Sequence, residues 1–151
     1  MKSVVFALTC VFSTFTAFSA VAASVAYVIP HHTHNNSFWQ NTLPVAKASA
    51  MQLGLDLIVE KANNPQTNYL ETIKQVVKKH QPKYVVLRAT SDNVIEIFDY
   101  LEQQRIHFVS FENDYSKKHQ QHISIPGHKY NYWLSEISYD DIAASKNVLS
   151  T

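Results

Sequence analysis

The stretch YVVLRATSDNVIEIFDYLEQQRIHFVSF, residues 84–111, predicts one complete strand–helix–strand unit. Tyr84–Leu87 and His107–Phe111 are short apolar runs, which are typical of strands buried on both faces. Ser91 or Asp92 is the expected cap of the helix between them. Apolar residues recur along that helix at helical spacing and form one inward-facing side: Val94, Ile95, Phe98 and Leu101. Two strands joined in this way run parallel, with a right-handed crossover.

The same alternation extends toward the amino terminus. Ser24–Ile29 is a short apolar run closed by Pro30, and it predicts the first strand. Ser37 is the expected cap of a helix from Phe38 to about Leu53, and Gly54 is its natural stop. Pro44 departs from a regular helix, since an internal proline removes a hydrogen bond and favours a kink. The residues predicted to form one buried stripe of this helix are Trp39, Leu43, Ala46, Ala50 and Leu53.

A second strand and a second helix complete the alternation. Leu55–Val59 predicts the strand, and Thr67 or Asn68 is the expected cap of a helix that Pro82 ends. The inward side of this helix carries Leu70, Ile73, Val76 and Val77. Four strands alternating with three helices predict an α/β fold, an open parallel sheet with helices on both faces in a three-layer sandwich. Ligands of such folds bind outside the carboxyl ends of the strands.

The pattern changes after Phe111. Residues 112–130 are polar and predict a long loop, and residues 132–137 predict a fifth short strand. Asp140 or Asp141 is the expected cap of a last helix, from Ile142 to Leu149.

The first 23 residues have the layout of a secretory signal peptide. Lys2 precedes an apolar run from Val4 to Ala20, and the segment closes on the small residues 20–23. This order predicts a cleaved signal and a periplasmic mature chain, and the alternative is an uncleaved membrane anchor. Cys10 lies inside the signal, so the mature chain has no cysteine and forms no disulfide.

Composition and motifs argue against several classes of function. The chain has 13 basic and 12 acidic residues, and a surface so close to neutrality gives no electrostatic reason to bind nucleic acid or anionic lipid. It contains no Gly-x-Ser-x-Gly, no His-Glu-x-x-His and, with two glycines, no glycine-rich phosphate loop. We therefore expect neither an enzyme nor a cofactor.

The histidines suggest an alternative function, in which the chain is a periplasmic metal-binding protein that uses its histidine-rich loops. Imidazoles at short spacing suit Zn²⁺ or Cu²⁺, although neither loop has an acidic ligand close by in sequence. One group is His31, His32 and His34, and the other is His119, His122 and His128.

Several short stretches, in order and at their spacing, carry a resemblance to a known family. They are residues 36–39, 51–54, 56–59, 84–92, 104–106, 111–114 and 133–141. Together they resemble the type 1 periplasmic binding proteins of sugar ABC transporters and the relatives that serve receptor kinases. The resemblance implies that residues 24–139 form the first lobe only, and that residues 140–151 begin a crossover helix to a second lobe. It favours a truncated protein or a fragment, with a free-standing one-lobe binding protein and a non-functional remnant as further alternatives.

The resemblance also implies a ligand site, because two lobes of such proteins close on a small sugar-like solute. The implied partners are that solute and an ABC-transporter permease or a receptor kinase. The other readings of these residues are core packing for Trp39, a salt bridge from Arg88 to Glu112, a turn at Asn113 and a helix cap at Asp140. The implied ligand-binding residues are Asn36, Phe38, Trp39, Arg88, Glu112, Asn113, Tyr139 and Asp140.

Overall fold

The computed structural model of the chain describes residues 22–30, 37–62, 69–90, 92–111 and 115–138, and of residues 37–40 it describes only the backbone. The strands within these ranges are β1 (Ser24–Ile29), β2 (Asp56–Lys61), β3 (Tyr84–Leu87), β4 (His107–Phe111) and β5 (Trp133–Ile137). The helices are α1 (Ser37–Gln52), α2 (Tyr69–His80), α3 (Val94–Gln103) and α4 (Lys117–Ile123).

The five strands form one parallel sheet in the order β2-β1-β3-β4-β5. The predicted α/β fold, an open parallel sheet with helices on both faces, is therefore confirmed. β1, β3 and β4 have the predicted bounds, whereas β2 begins one residue later and extends to Lys61. Since every strand runs the same way, all five carboxyl ends lie at one edge of the sheet, here called the carboxyl edge.

The main core lies on the face of the sheet covered by α2, α3 and α4. Alternate strand residues such as Val85 and Leu87 are fully buried there, as the two-residue period of a strand requires. The helices contribute Ile73, Val76, Ile97, Phe98 and Ile123 to the same cluster.

Trp133 is the largest fully buried side chain of this core. Its ring lies 4.8 Å from that of Phe98 and stacks at 6.4 Å on that of Phe108. Its Nε1 donates 3.0 Å hydrogen bonds to the Ser110 hydroxyl and to the Ser135 carbonyl oxygen. A buried indole requires such a partner, and the bond to Ser110 ties β5 to β4.

The opposite face of the sheet is covered by α1, and its core is smaller. Tyr27 and Ile29 are buried there against Leu43 and the half-buried strand residues Leu57, Val59, Val86 and Phe111. The predicted buried stripe of α1 is wrong at its carboxyl end, where Leu53 is 70% exposed, while Ala50 is buried. Leu53 follows the last residue of the helix, Gln52, and its side chain lines an open groove beside α1 instead of a closed core.

The end of α1 has the geometry predicted from Gly54. This glycine has φ +64°, the Leu55 amide donates to the Ala50 carbonyl, and the Gly54 amide donates to the Met51 carbonyl. This pair of bonds is a Schellman motif, which requires a left-handed residue at the glycine position. Pro44, predicted to favour a kink, lies inside α1, and the helix continues through it.

Two sequence predictions are corrected in the loops. Residues 112–130 do not form one long loop, since α4 occupies Lys117–Ile123. Ser116 caps α4 by accepting a hydrogen bond from the His119 amide, and Ile123 anchors it in the core. A single apolar residue gives no periodic pattern, so the polar sequence concealed the helix.

The cap of α3 is the second correction. The cap residue is Asn93 rather than Ser91 or Asp92. Its Oδ1 accepts a 3.1 Å hydrogen bond from the Thr90 amide, in the turn that precedes the helix. No helix among the described residues has the length and apolarity to cross a bilayer, and the predicted signal lies almost entirely outside those residues.

Candidate functional site

The carboxyl edge is the place where a parallel sheet of this kind binds ligands. The order of strands brings the ends of β1 and β3 side by side there, next to the ends of β4 and β5. By connectivity, residues that follow β1, β3, β4 and β5 start from this one edge. Most of the residues implied as ligand contacts belong to these stretches or begin α1, which follows β1.

Tyr69, in the first turn of α2, fastens the ends of two central strands at this edge. Its hydroxyl donates a 2.6 Å hydrogen bond to the Val28 carbonyl oxygen and accepts a 3.3 Å bond from the Arg88 amide. Although the residue as a whole is only half-buried, desolvation around the hydroxyl raises the pKa of Tyr69. A tyrosine hydroxyl is protonated at neutral pH even at its ordinary pKa of 10.0, and the raised pKa keeps it a donor in more alkaline solution.

Among the residues implied as ligand contacts, Arg88 is the one whose side chain the structure describes. It is the first residue after β3, at the carboxyl edge, and it is half-buried. Its backbone position is set by the contact with Tyr69. A guanidinium group at a strand end presents several donors in one plane, which suits bidentate contacts to hydroxyl pairs or a carboxylate.

The other implied residues lie outside what the structure describes. Asn36, Glu112, Asn113, Tyr139 and Asp140 fall outside the described residues. Phe38 and Trp39 occupy the first turn of α1, and their side chains are also outside the description. Their contacts with a ligand, the core reading of Trp39 and the salt bridge from Arg88 to Glu112 therefore stay predictions.

Tyr115 and Glu136 form a second polar contact at this edge that the sequence did not reveal. The Tyr115 hydroxyl donates a 2.6 Å hydrogen bond to Glu136 Oε1. Tyr115 follows β4, and Glu136 lies one residue before the end of β5, opposite Ser110. A tyrosine in a polar stretch and a glutamate in a short strand carry no pairing signal in sequence. The contacts of Tyr69 with Val28 and Arg88 were not predicted either, because they too have no signal in the sequence.

The histidine hypothesis finds no support in the part of the chain that the structure describes. Within those residues, no group of three or more His, Cys, Asp or Glu side chains could hold a metal ion. His119 and His128 instead contact the hydroxyls of Ser116 and Ser124 through Nδ1, at 2.8 and 3.2 Å. His31, His32 and His34 lie outside the described residues.

A large apolar groove lies between α1 and the sheet and reaches the carboxyl edge at Phe111 and Ile137, the last residues of β4 and β5. This α1 groove encloses about 520 Å³, and none of its lining residues is charged. This groove was not predicted from the sequence, because the apolar stripe of α1 was expected to be fully buried. Its walls are residues 25, 27, 41, 42, 45, 46, 49, 50, 53, 55, 57, 86, 109, 111 and 137.

The comparisons with known proteins agree with the fold. No protein-family model and no curated protein matches the sequence. The structure is similar to the crystal structure of an ABC transporter solute-binding protein from Burkholderia multivorans, with a TM-score of 0.64 at 14% identity. The similarity covers 85% of this chain and 44% of that chain, so this chain spans less than half of its neighbour. At this identity the likeness establishes the fold alone, an α/β sheet with helices like that of one part of the neighbour.

The neighbour's structure contains an unknown ligand represented as alpha-D-erythrofuranose. The neighbour is a binding protein rather than an enzyme.

Proposed function

We propose that this chain is the first lobe of an extracytoplasmic solute-binding protein, and that its carboxyl edge supplies one wall of a cleft for a small sugar-like solute. The observation that carries the proposal is the position of Arg88, held at the end of a central strand by the Tyr69 hydroxyl. The fold shared with a solute-binding protein supports the same reading.

The chemistry of the edge favours a polar, hydroxyl-bearing ligand. Arg88 brings hydrogen-bond donors, and the Tyr115–Glu136 pair brings a carboxylate acceptor. Donors and acceptors in one crevice pair with the vicinal hydroxyls of a sugar. Phe38 or Trp39, at the start of α1, would add the aromatic face on which a sugar ring stacks.

Export and partners belong to the same proposal. The amino-terminal segment has the layout of a secretory signal, and the fold is that of a protein class that serves ABC transporters. The proposed partner is a transporter permease or, as the family resemblance implies, a sensor kinase. Residues 140–151 would then lead toward a second lobe.

The experiment is a thermal-shift screen of the mature chain against aldotetroses, aldopentoses, aldohexoses and polyols, with D-erythrose in the panel. A ligand that binds the folded state raises the melting temperature in proportion to the logarithm of its concentration over Kd. One lobe makes about half the contacts of a closed cleft, so we expect shifts only at millimolar sugar. Zn²⁺ is included as a separate arm. A shift with Zn²⁺ and with no sugar or polyol would contradict the proposal.

A further inference from the structure

The two faces of the sheet are covered to different extents among the described residues. On the α2, α3 and α4 side, Val85, Leu87 and Phe108 are fully buried. On the α1 side, Val86 and Val109 are only half-buried, although β3 and β4 are interior strands of the sheet. Interior strands of a parallel sheet are usually covered on both faces, so the α1 side has the exposure expected of a surface that another molecule covers.

Exposed apolar residues are grouped at the α1 groove. Three large apolar residues that line it are largely exposed: Val45 by 65%, Leu53 by 70% and Ile137 by 53%. They make up half of the exposed large apolar residues in the described ranges, of which there are six. Grouped exposure of this kind marks a surface that contacts another molecule.

Helix α1 lacks the charged outer side that its neighbours have. Its 16 residues include a single charged residue, Lys47. The 12 residues of α2 include four charged residues besides its histidine, and the 10 residues of α3 include three carboxylates. A helix with one side in water normally carries charged and polar residues on that side. The exposed residues of α1 are instead mostly small or uncharged, such as Ala48 and Ser49.

The one charge of α1 lies away from the groove. At about 100° per residue, the groove-lining residues Val45 and Ser49 lie within about 40° of each other around the helix. Lys47, two positions from each, is about 160° away from both. Among the described residues, none that lines the groove is charged. A second copy of the same surface therefore meets no like charge there, whereas a charged partner finds no counter-charge.

The same face presents a ridge beside a groove. α1 packs mainly over the β2 side of the sheet, and β3, β4 and β5 form the floor of the groove next to it. Neighbouring strands lie about 4.8 Å apart, so these three strands span about 10 Å. A helix with its side chains is about 10 to 12 Å wide, so a second α1 fits over them. A two-fold axis between two copies places each α1 over these strands of the other, and every contact then occurs twice.

We propose that a second copy of this chain covers the α1 groove, and that the groove side of each α1 packs against Val86, Val109 and Ile137 of the other copy. The contact goes beyond the proposed solute binding, because it does not involve Arg88. Fifteen residues line the groove, which is fewer than the about 20 to 30 residues per side of a standard interface. We therefore expect a weak dimer, with a dissociation constant of about 10 to 100 µM.

Analytical ultracentrifugation of the mature chain without added solute tests the dimer. Concentrations from about 1 to about 500 µM bracket the expected dissociation constant. The mass should rise from that of one chain to that of two chains and no further, because a two-fold contact closes on itself. A mass of one chain at every concentration, or growth beyond two chains, would overturn the proposal.

Lysine substitutions test where the two copies meet. Val45→Lys and Ile137→Lys each place a charge in the uncharged contact, at positions that are exposed in the single chain, and each should weaken the dimer at least about tenfold. Met51→Lys is the matched control, since Met51 is an apolar residue of the same helix, 79% exposed and about 120° to 160° from Val45 and Ser49. It should leave the dimer unchanged. Circular dichroism checks that the variants are folded, and an equal loss of dimer in Met51→Lys and Val45→Lys would contradict the proposed contact.

Discussion

The Tyr69 hydroxyl lies 2.6 Å from the Val28 carbonyl oxygen and joins two residues that are 41 positions apart in the chain. The Tyr69 hydroxyl oxygen in turn accepts a 3.3 Å hydrogen bond from the Arg88 amide, so one hydroxyl connects the first helical turn of α2 to the ends of β1 and β3. Val28 and Leu87 form the last residue pair between β1 and β3. The Tyr69 hydroxyl bonds to the backbone at this pair, through Val28, and directly after it, through Arg88.

Removal of this hydroxyl should destabilise the lobe. Tyr69→Phe keeps the ring but leaves the Val28 carbonyl and the Arg88 amide without this partner, which should lower the free energy of unfolding by about 1 to 2 kcal/mol. Urea denaturation followed by circular dichroism measures the loss. Tyr100→Phe, on α3, is the matched control and should change stability by less than about 0.5 kcal/mol. Equal effects of the two substitutions would contradict a structural role for the Tyr69 hydroxyl.

Two helix ends provide a paired test of backbone conformation. Gly54 has φ +64° and no neighbouring atom in the space of a Cβ, so Gly54→Ala should cost about 1 kcal/mol from conformation alone. Arg105 has φ +56° at the end of α3, with Schellman bonds from Arg105 to Glu102 and from Ile106 to Leu101. Arg105→Gly should therefore stabilise the chain by about 0.5 to 1 kcal/mol. Thermal denaturation of both variants checks the opposite signs, and a loss of stability in Arg105→Gly would contradict the argument.

The stability of the folded chain should depend on pH through the carboxylate of Glu102. Burial opposes the charge of its carboxylate, but hydrogen bonds from the Tyr132 amide and from the side chain and amide of Asn131 outweigh that cost and lower the pKa. A lowered folded-state pKa contributes stability above the ordinary carboxyl value of 4.5, and this stability is lost as the pH falls through the folded value.

Glu102→Gln keeps the shape of the side chain and removes the charge. It should cost about 1 kcal/mol at pH 7, because charge-assisted hydrogen bonds are replaced by neutral ones. The difference from the wild type should shrink as the pH falls below 4.5. Urea denaturation at a series of pH values measures it. A difference that is constant with pH would mean that the carboxylate charge has no part in the contact.

The hydrogen bond between Trp133 and Ser110 can be isolated by a double-mutant cycle. Trp133→Phe should cost about 2 kcal/mol or more, from lost volume and from the partners of Nε1. Ser110→Ala should then cost about 1 kcal/mol less in the Trp133→Phe background than in the wild type. Denaturation of the four proteins gives the coupling, and additive effects would contradict a stabilising contact.

The strands could be predicted from sequence because each one carries its own signal. Ser24–Ile29, Tyr84–Leu87 and His107–Phe111 are apolar runs bounded by breakers or helical patterns, and their predicted bounds were correct. The helices α2 and α3 carry apolar stripes, and the expected positions of those stripes are buried or partly buried. Such signals are local, so they can be read from a single sequence.

What could not be predicted depends on long-range contacts. α4 is held by a cap and one buried isoleucine, and neither produces a periodic pattern. Tyr69 and Val28 are brought together only by the crossover from β2 through α2 to β3, and no short motif marks that contact. The α1 groove arises from the way α1 sits over the sheet, so a stripe of apolar residues on α1 was misread as full burial.

We propose that the carboxyl edge binds a small sugar-like solute through Arg88. The chain has two arginines, which makes Arg105 a matched control at a helix end away from this edge. The measurement is isothermal titration calorimetry of the wild type, Arg88→Ala and Arg105→Ala with the sugar that gives the largest thermal shift. We predict an affinity at least tenfold weaker for Arg88→Ala, about 1.4 kcal/mol, and an unchanged affinity for Arg105→Ala. Unchanged affinity in Arg88→Ala, with both variants folded, would contradict the account.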